Sequence, residues 1–350
     1  MPPGGPHLSS CPDGHSYLPP LPPMRETRKY LTANQFPHKK NYARRSLRWF
    51  LSFLPLILPP KDHPKRPMGI SVYMRVKNER DWIIPSIQSI STIADEICLV
   101  DNGSTDGTLE MVKELAQQEP DFIRIWEEPN LSHVELSNIA LGKTRFHYVF
   151  RWDGDMIAHT SGENDIRKLR TRLLKLNPRR YFVIYLRHVN LSGDLFHQDR
   201  REMVHIEEYI HTFSPLARFI HTGRFEAVKF PLYYRPLFWY EPFAFHVNVK
   251  PRQRLLRRFF WEEWMEKKDY LQYPTLDKYV EARIRDTFGT DNTKEAAYLC
   301  LRESLSHHIP YDEKIFGPYP ELLQPFLSDP SYLIDYRNGQ PYDRREPDED

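Results

Sequence analysis

The chain has 350 residues, of which 40% are hydrophobic, 13% aromatic and 27% charged. That is apolar mass for a full core, and it excludes a wholly disordered chain. Forty-nine Lys and Arg against 47 Asp and Glu give a net charge of +2, which argues against nucleic-acid binding driven by bulk charge. Three distant cysteines, Cys11, Cys98 and Cys300, exclude a disulfide scaffold and a CxxC zinc site and make a reducing, cytoplasmic setting the expectation.

Fourteen of the 31 prolines fall in residues 1–67, a proline-rich arm with no sustained period. Residues 1–24 read as a disordered tail, and no signal-peptide pattern opens the sequence. Within the arm, Lys39, Lys40, Arg44, Arg45 and Arg48 precede the apolar run Trp49–Leu58, and Lys61, Lys65 and Arg66 follow it. The run is too short to span a bilayer. Two readings stay open: peripheral contact with an anionic membrane surface, or an arm packed on the following domain.

From Gly69 the pattern becomes regular. Strands are expected at Ile70–Val76, Glu96–Val100, Phe122–Trp126 and Phe146–Phe150. Helices are expected at Trp82–Thr92, Asp106–Gln118 with Asp106 as N-cap, and Leu131–Leu141. Short strands alternating with helices of about a dozen residues indicate an α/β domain with a mixed, mostly parallel sheet flanked by helices. Residues 179–247 are strand-rich and aromatic, and 251–268 and 276–306 read as a helical C-terminal extension.

Ligands of such sheets bind outside the carboxyl ends of the strands, and three polar motifs fall there. Arg75-Val-Lys-Asn-Glu79 follows the first strand, with Asn78 and Glu79 in its turn. Val100-Asp-Asn-Gly-Ser-Thr-Asp-Gly-Thr108 follows the second, with Asp101 at the strand end. Trp152-Asp-Gly-Asp-Met156 follows the fourth. Asp153 and Asp155 stand at i and i+2, so in an extended segment both can reach one divalent cation, for which hard oxygen ligands suit Mg²⁺ or Mn²⁺. A similar D-x-D at Asp348–Asp350 lies in a charged tail without a preceding strand.

Together with Asn138 in the helix before the fourth strand, these motifs make residues 70–157 resemble the nucleotide-binding half of family 2 glycosyltransferases, which adopt the GT-A fold. The resemblance implies metal-dependent, inverting transfer of a sugar from a UDP- or GDP-sugar to a glycan or lipid-linked acceptor hydroxyl, as in glycan biosynthesis. It implies donor contacts from Arg75, Asn78, Glu79, Asp101, Asn138 and Asp153. It also implies a Mn²⁺ or Mg²⁺ site at Asp155 and Asp153, completed by a late histidine. His246 is the first candidate, ahead of His197 and His205. For the base that takes the acceptor proton, Glu241 comes first, with Asp199, Glu207 and Glu208 as alternatives.

The organisation expected is an arm over 1–67 with its basic and apolar segment at 39–66. A GT-A-like catalytic domain follows over 68–250, divided into halves 68–157 and 158–250. A helical extension over 251–335 and a charged tail over 336–350 complete it. Two competing functions are a nucleotidyltransferase and a non-catalytic sugar-nucleotide-binding module. The first is disfavoured because Arg75–Asp81 contains no glycine, the second because Asp153 and Asp155 are both present. No GxxxxGK[ST] or GxGxxG occurs.

Overall fold

A computed structural model describes residues 42–57, 65–222, 225–267, 269–337 and 340–343. The tail read at 1–24 and the last residues of the charged tail, 344–350, lie outside the described residues, as do 39–41 and 58–64 of the arm.

In chain order the elements are α1 (Tyr42–Leu51), α2 (Leu54–Ile57), β1 (Ile70–Val76), α3 (Ile83–Ser91), β2 (Glu96–Asp101), α4 (Thr108–Gln118), β3 (Ile123–Glu127), α5 (His133–Lys143), β4 (Tyr148–Asp153), β5 (Met156–Ala158) and α6 (Arg167–Leu174). There follow β6 (Phe182–Ser192), β7 (His197–Asp199), β8 (Val204–Thr212), β9 (Arg218–Thr222), β10 (Phe225–Lys229), β11 (Arg235–Asn248), α7 (Arg252–Lys267), α8 (Leu276–Phe288), α9 (Thr293–Leu305) and β12 (His308–Pro310).

One eight-stranded sheet runs β3-β2-β1-β4-β8-β6-β11-β5. The pairs β1/β2, β1/β4, β2/β3 and β6/β11 are parallel. The pairs β4/β8, β6/β8 and β5/β11 are antiparallel. The sheet is therefore mixed and mostly parallel, as the alternation of apolar runs predicts.

β1 and β2 are buried on both faces, which is why they read as near-continuous apolar runs rather than alternating ones. On one face Val72, Met74, Ile97 and Leu99 pack with Ile83, Ile87 and Ile90 of α3, Val112 of α4 and Leu169 of α6. On the other, Tyr73, Cys98, Val100 and Val149 pack with Leu136 and Ala140 of α5. α5 starts at a capping box, in which Ser132 accepts from the Glu135 amide and Glu135 accepts from the Ser132 amide.

Two readings are refined. Asp106 is not the N-cap of α4: Gly107 holds that place with φ 94°, and the Asp106 carboxylate accepts the Thr108 amide at 3.0 Å from one position further back. The stretch 276–306 is two helices, because Gly289 closes α8 in the left-handed conformation at φ 73°. α7, α8 and α9 share their own core of Leu256, Phe260, Tyr279, Ile284, Ala296 and Cys300. Cys98 and Cys300 are free and buried. Among the described residues no helix is long and apolar enough to cross a membrane.

The edge of the sheet opposite the polar motifs is held by one buried carboxylate. Glu96 accepts from Ser71 Oγ at 2.6 Å, the Arg145 amide at 2.6 Å, Arg145 Nε at 2.7 Å and Arg124 Nη1 at 3.0 Å. Burial raises its pKa, and these donors more than offset that, so the net direction is downward from 4.5. A carboxylate with a lowered pKa stabilises the fold above its unfolded value, and that contribution is lost as pH falls through the folded one. Glu96→Gln should destabilise by about 2 kcal/mol near neutral pH, the scale of hydrogen bonds to a charged group. In urea unfolding the gap to the unaltered protein should narrow as pH drops below 4.5. A gap that did not change with pH would remove the charge from this account.

Candidate active site

Two of the three polar motifs are stitched to each other. The chain leaves β1 through Asn78, which sits at φ 58°. The Asn78 amide donates to Ser104 Oγ at 2.9 Å, and the Thr105 amide donates back to Asn78 Oδ1 at 2.8 Å. The Glu79 amide reaches Thr108 Oγ1 at 2.9 Å, and the Arg80 amide reaches Asp106 Oδ2 at 3.1 Å. The 100–108 loop is braced from within as well. Asp101 Oδ1 accepts the amides of Gly103 and Ser104, both at 2.9 Å, and Oδ2 accepts Ser104 Oγ at 2.5 Å. The polar side chains of the first two motifs thus shape the rim at the carboxyl ends of β1 and β2.

The third motif brings its carboxylates to that rim. Asp153 ends β4 and keeps 30% of its side chain exposed, with Arg75 Nη2 at 3.3 Å from Oδ1. Arg75 Nη1 also binds Ser137 Oγ at 2.6 Å and pairs with Glu226 of β10, so a nearly buried guanidinium lies between two carboxylates. Gly154 is required by close approach: a Cβ there would meet Glu79 Cγ at 3.0 Å and Cβ at 3.2 Å.

Asp155, one residue on, is buried. Its Oδ2 lies 3.2 Å from His246 Nε2 and 2.8 Å from Lys250 Nζ. Lys250 also pairs with Glu79, and Arg254 Nη2 meets the other Glu79 oxygen at 2.5 Å. Burial alone would raise the Asp155 pKa, but His246 and Lys250 hold it well below the usual carboxylate range. His246 is pulled down by burial and pushed up further by Asp155, for a net rise. Burial keeps the Glu79 carboxyl raised against the pull of Lys250.

A further polar row crosses the same face of the sheet. His188 stands opposite His205 across β6/β8, and His246 opposite Asn190 across β11/β6. The His188 ring lies 5.8 Å from His205, 5.6 Å from His246 and 5.6 Å from Tyr209, whose hydroxyl is 3.1 Å from His188 Nδ1. Burial, then the positive neighbour His246, pushes His188 down to about 3, so it is neutral. Glu207 pairs with the buried Arg151 of β4 and lies 3.3 Å from His205 Nε2. Burial would raise Glu207, but Arg151 brings it down to about 2.

Of the residues singled out from the sequence, Glu79, Asp153, Asp155 and His246 come together with Arg75 at their margin. Asn78 and Asp101 sit in the adjoining loops with their polar atoms engaged locally. Asn138 is directed elsewhere: its Nδ2 donates to the Val134 and Phe219 carbonyls at 3.0 and 3.1 Å, and its Oδ1 accepts the Phe219 amide at 2.9 Å. Glu241 is corrected as a base candidate. It pairs with Arg172 at 2.8 Å, is 47% exposed, and lies five residues before His246, roughly 15 Å along an extended strand. His197, on β7, is tied to Asp194 at 2.8 Å; among the described residues β7 pairs with β12 alone, outside the main sheet, and Asp199 on the same strand is held by Arg201. Sequence reasoning missed Lys250, Arg254, Glu226 and Arg151. Lys250 had a signal, since it stands four residues past His246 just beyond the strand.

The donor chemistry for a divalent cation is present but sparse. Among the described residues no group of three or more His, Cys, Asp or Glu could hold a metal. Asp155 and His246 do supply one oxygen and one nitrogen at the same point. His246 Nδ1 lies 3.3 Å from Asn190 Oδ1, an arrangement that turns Nε2 toward Asp155. Two protein ligands with the remainder from substrate phosphates and water is an ordinary Mg²⁺ or Mn²⁺ arrangement, so the pair fits such an ion.

Residues 71–236 match the family described as Glycosyl transferase family 2. Residues 71–236 are therefore similar to a family 2 glycosyltransferase domain. With the sheet described above, its fold class is GT-A-like. Two relatives from Pasteurella multocida, a hyaluronan synthase and the chondroitin synthase of strain Pm70, are each 30% identical to this chain over 135 residues, 37% of its length. The matched region spans only 13% of the length of either relative. Crystal structures of S. aureus TarS 1–349, alone and with UDP-GlcNAc, align over 78% of this chain and 96% of theirs. Their identities are 13% and 11% and their TM-scores 0.36 and 0.38, too loose a likeness to place any residue.

The Asn138 geometry gives a clean expectation. Asn138→Ala leaves the Phe219 amide and carbonyl without their partners, which should destabilise by about 1–3 kcal/mol in urea unfolding. Its affinity for nucleoside diphosphates, by titration calorimetry, should stay within about twofold of the unaltered protein, well under 1.4 kcal/mol. A tenfold loss of affinity with unchanged stability would return Asn138 to the donor site.

Proposed function

We propose that this chain moves a sugar from a nucleotide-diphosphate sugar to an acceptor hydroxyl with inversion, in the cleft at the carboxyl ends of β1, β2 and β4. One observation carries the reading. The Asp-Gly-Asp turn of a family 2 domain places Asp155 against His246, with Asp153 exposed beside it. Ligands of open α/β sheets bind at that edge.

The chain's residues divide the work as follows. Asp101 and Asn78 hold the two loops that form the nucleotide's side of the cleft. Asp153, accessible and kept in place by Arg75, faces the donor's ribose or sugar. Asp155 and His246 would hold Mn²⁺ or Mg²⁺, which as a Lewis acid supplies counter-charge to the departing diphosphate. Lys250 and Arg254 are committed to Asp155 and Glu79 and hold this end of the site in shape.

For the proton of the acceptor hydroxyl, Glu207 replaces Glu241 as the proposed base. It lies on the polar face of the sheet with 35% of its side chain exposed, and Arg151 keeps it ionised and oriented. The proposed acceptor is a glycan or lipid-linked hydroxyl, and the proposed setting is cytoplasmic glycan biosynthesis. The boundaries proposed for the catalytic domain remain 68–250, with 251–335 as an extension.

A thermal-shift panel of UDP, GDP and CDP with and without Mn²⁺ tests the reading. One nucleoside diphosphate should raise the melting temperature by several degrees at saturating ligand, more so with Mn²⁺. Asp155→Asn, checked for fold by circular dichroism, should lose the Mn²⁺-dependent part. No shift with any of the three, or a full Mn²⁺-dependent shift in the variant, would discard the assignment.

A further inference from the structure

The segment from Leu47 to Ile57 reverses the usual amphipathic arrangement. A surface helix normally buries its apolar stripe and shows water its polar face. Here the buried side carries Ser52 and Pro55. Ser52 Oγ donates to the Trp49 carbonyl at 2.7 Å and accepts from Arg180 Nη2 at 2.7 Å, and the Arg180 guanidinium lies 4.4 Å from the Phe53 ring. These contacts seat α1 and α2 on the domain.

The outward side is apolar. Leu47 and Phe50 stand three apart on α1 and Leu54 and Ile57 three apart on α2, and all four are exposed, as is Trp49. Their exposures are high, 72% for Phe50 and 76% for Ile57. Contiguous exposed apolar side chains of this kind mark an interaction surface.

Charge identifies the partner. Residues 39–66 hold eight of the 49 Lys and Arg but only one of the 47 Asp and Glu, which leaves 41 basic and 46 acidic residues for the remainder of the chain. The sequence therefore concentrates its positive charge around these apolar side chains on an otherwise net-negative protein. Arg66 is spent on the fold, donating to Thr144 Oγ1 at 2.9 Å, while Lys65 is exposed and Arg48 is partly so.

We propose that the outward face of α1 and α2 rests on an anionic lipid surface. Phe50, Leu54 and Ile57 enter the boundary between headgroups and acyl chains, and the flanking Lys and Arg meet the headgroup charge. The exposed apolar side chains are what separate this from a nucleic-acid surface, which would be met by cations without a greasy centre. The inference is independent of the proposed chemistry, since none of these residues lies in the cleft.

Co-sedimentation of the full chain with vesicles tests it. Vesicles of phosphatidylcholine with phosphatidylserine should pellet the protein, and pure phosphatidylcholine should bind about tenfold or more weakly. Added salt should release it, as the ion atmosphere screens the headgroup charge. Phe50→Ser with Ile57→Ser should abolish binding without moving the melting temperature, because both side chains are exposed. Arg48→Gln with Lys65→Gln should weaken it roughly fivefold per cation removed. Equal binding to neutral and anionic vesicles, no binding to either, or unchanged binding by the serine variant would overturn the proposal. So would a dimer in solution that the serine variant turns into a monomer, since a second copy would then cover these side chains.

Discussion

Asp155 is a buried carboxylate, and the groups that let it remain ionised arrive from the far end of the chain. A charge taken out of water without partners is costly enough that the group normally neutralises or the fold rearranges. Here His246 at the end of β11 and Lys250 just beyond it converge on one Asp155 oxygen. The contact fixes more than a side chain. It pins the β4–β5 turn to the last central strand, and the Val247 amide reinforces it by donating to the Asp155 carbonyl at 2.8 Å. Lys250 extends the tie to Glu79, Glu79 to Arg254, and so the turn after β1 is joined to the first turn of α7. The parts of the fold that carry Glu79 and Asp155 and those that carry His246, Lys250 and Arg254 therefore meet through charge as well as through the sheet.

The same economy appears in the loops after β1 and β2. Asn78, Asp101 and Asp106 are residues a chemist would reserve for a ligand, yet each bonds the neighbouring loop or its own turn. Two irregular segments at the end of a parallel sheet expose many amides, and short polar side chains are the means of satisfying them. A motif of this composition can serve a site by holding its outline, with Asp153 and Asp155 left to face what enters it.

How far the sequence could be read follows from these causes. The strands β1, β2 and β4 were legible because burial on both faces writes an unbroken apolar run, and Asp155 because it stands just beyond β4, while His246, inside β11, was read from the apolar run before it. Glu241 stands apart from His246 on β11, which is irregular. Its pairing with β6 shifts register between Trp239 and Pro242 and again between Pro242 and Ala244, so distance along the sequence no longer tells which side chains share a face. Arg75 with Glu226, and Lys250 with Glu79, are 151 and 171 residues apart. No local pattern announces such pairs, because the partner of a buried charge is chosen by the topology of the whole sheet. The break in the C-terminal helices was within reach, since Gly289 stands between two periodic stretches.

The charge balance of the cleft then constrains what can bind there. Asp153, Asp155, Glu79 and Glu226 are already faced by Arg75, Lys250, Arg254 and His246, so in the free protein the cluster is close to internally neutral. A nucleoside diphosphate bound there, as proposed, would bring several negative charges into it. Either the basic side chains let go of their carboxylates, which would leave buried anions uncompensated, or positive charge enters with the ligand. The second route would preserve the Lys250–Glu79, Arg254–Glu79 and Arg75–Asp153 pairs, while Asp155 and His246 would turn from each other to the incoming cation. It also accounts for why a site so rich in lysine and arginine should still present Asp155 and His246 together: the protein's own cations are committed to holding the cleft in shape.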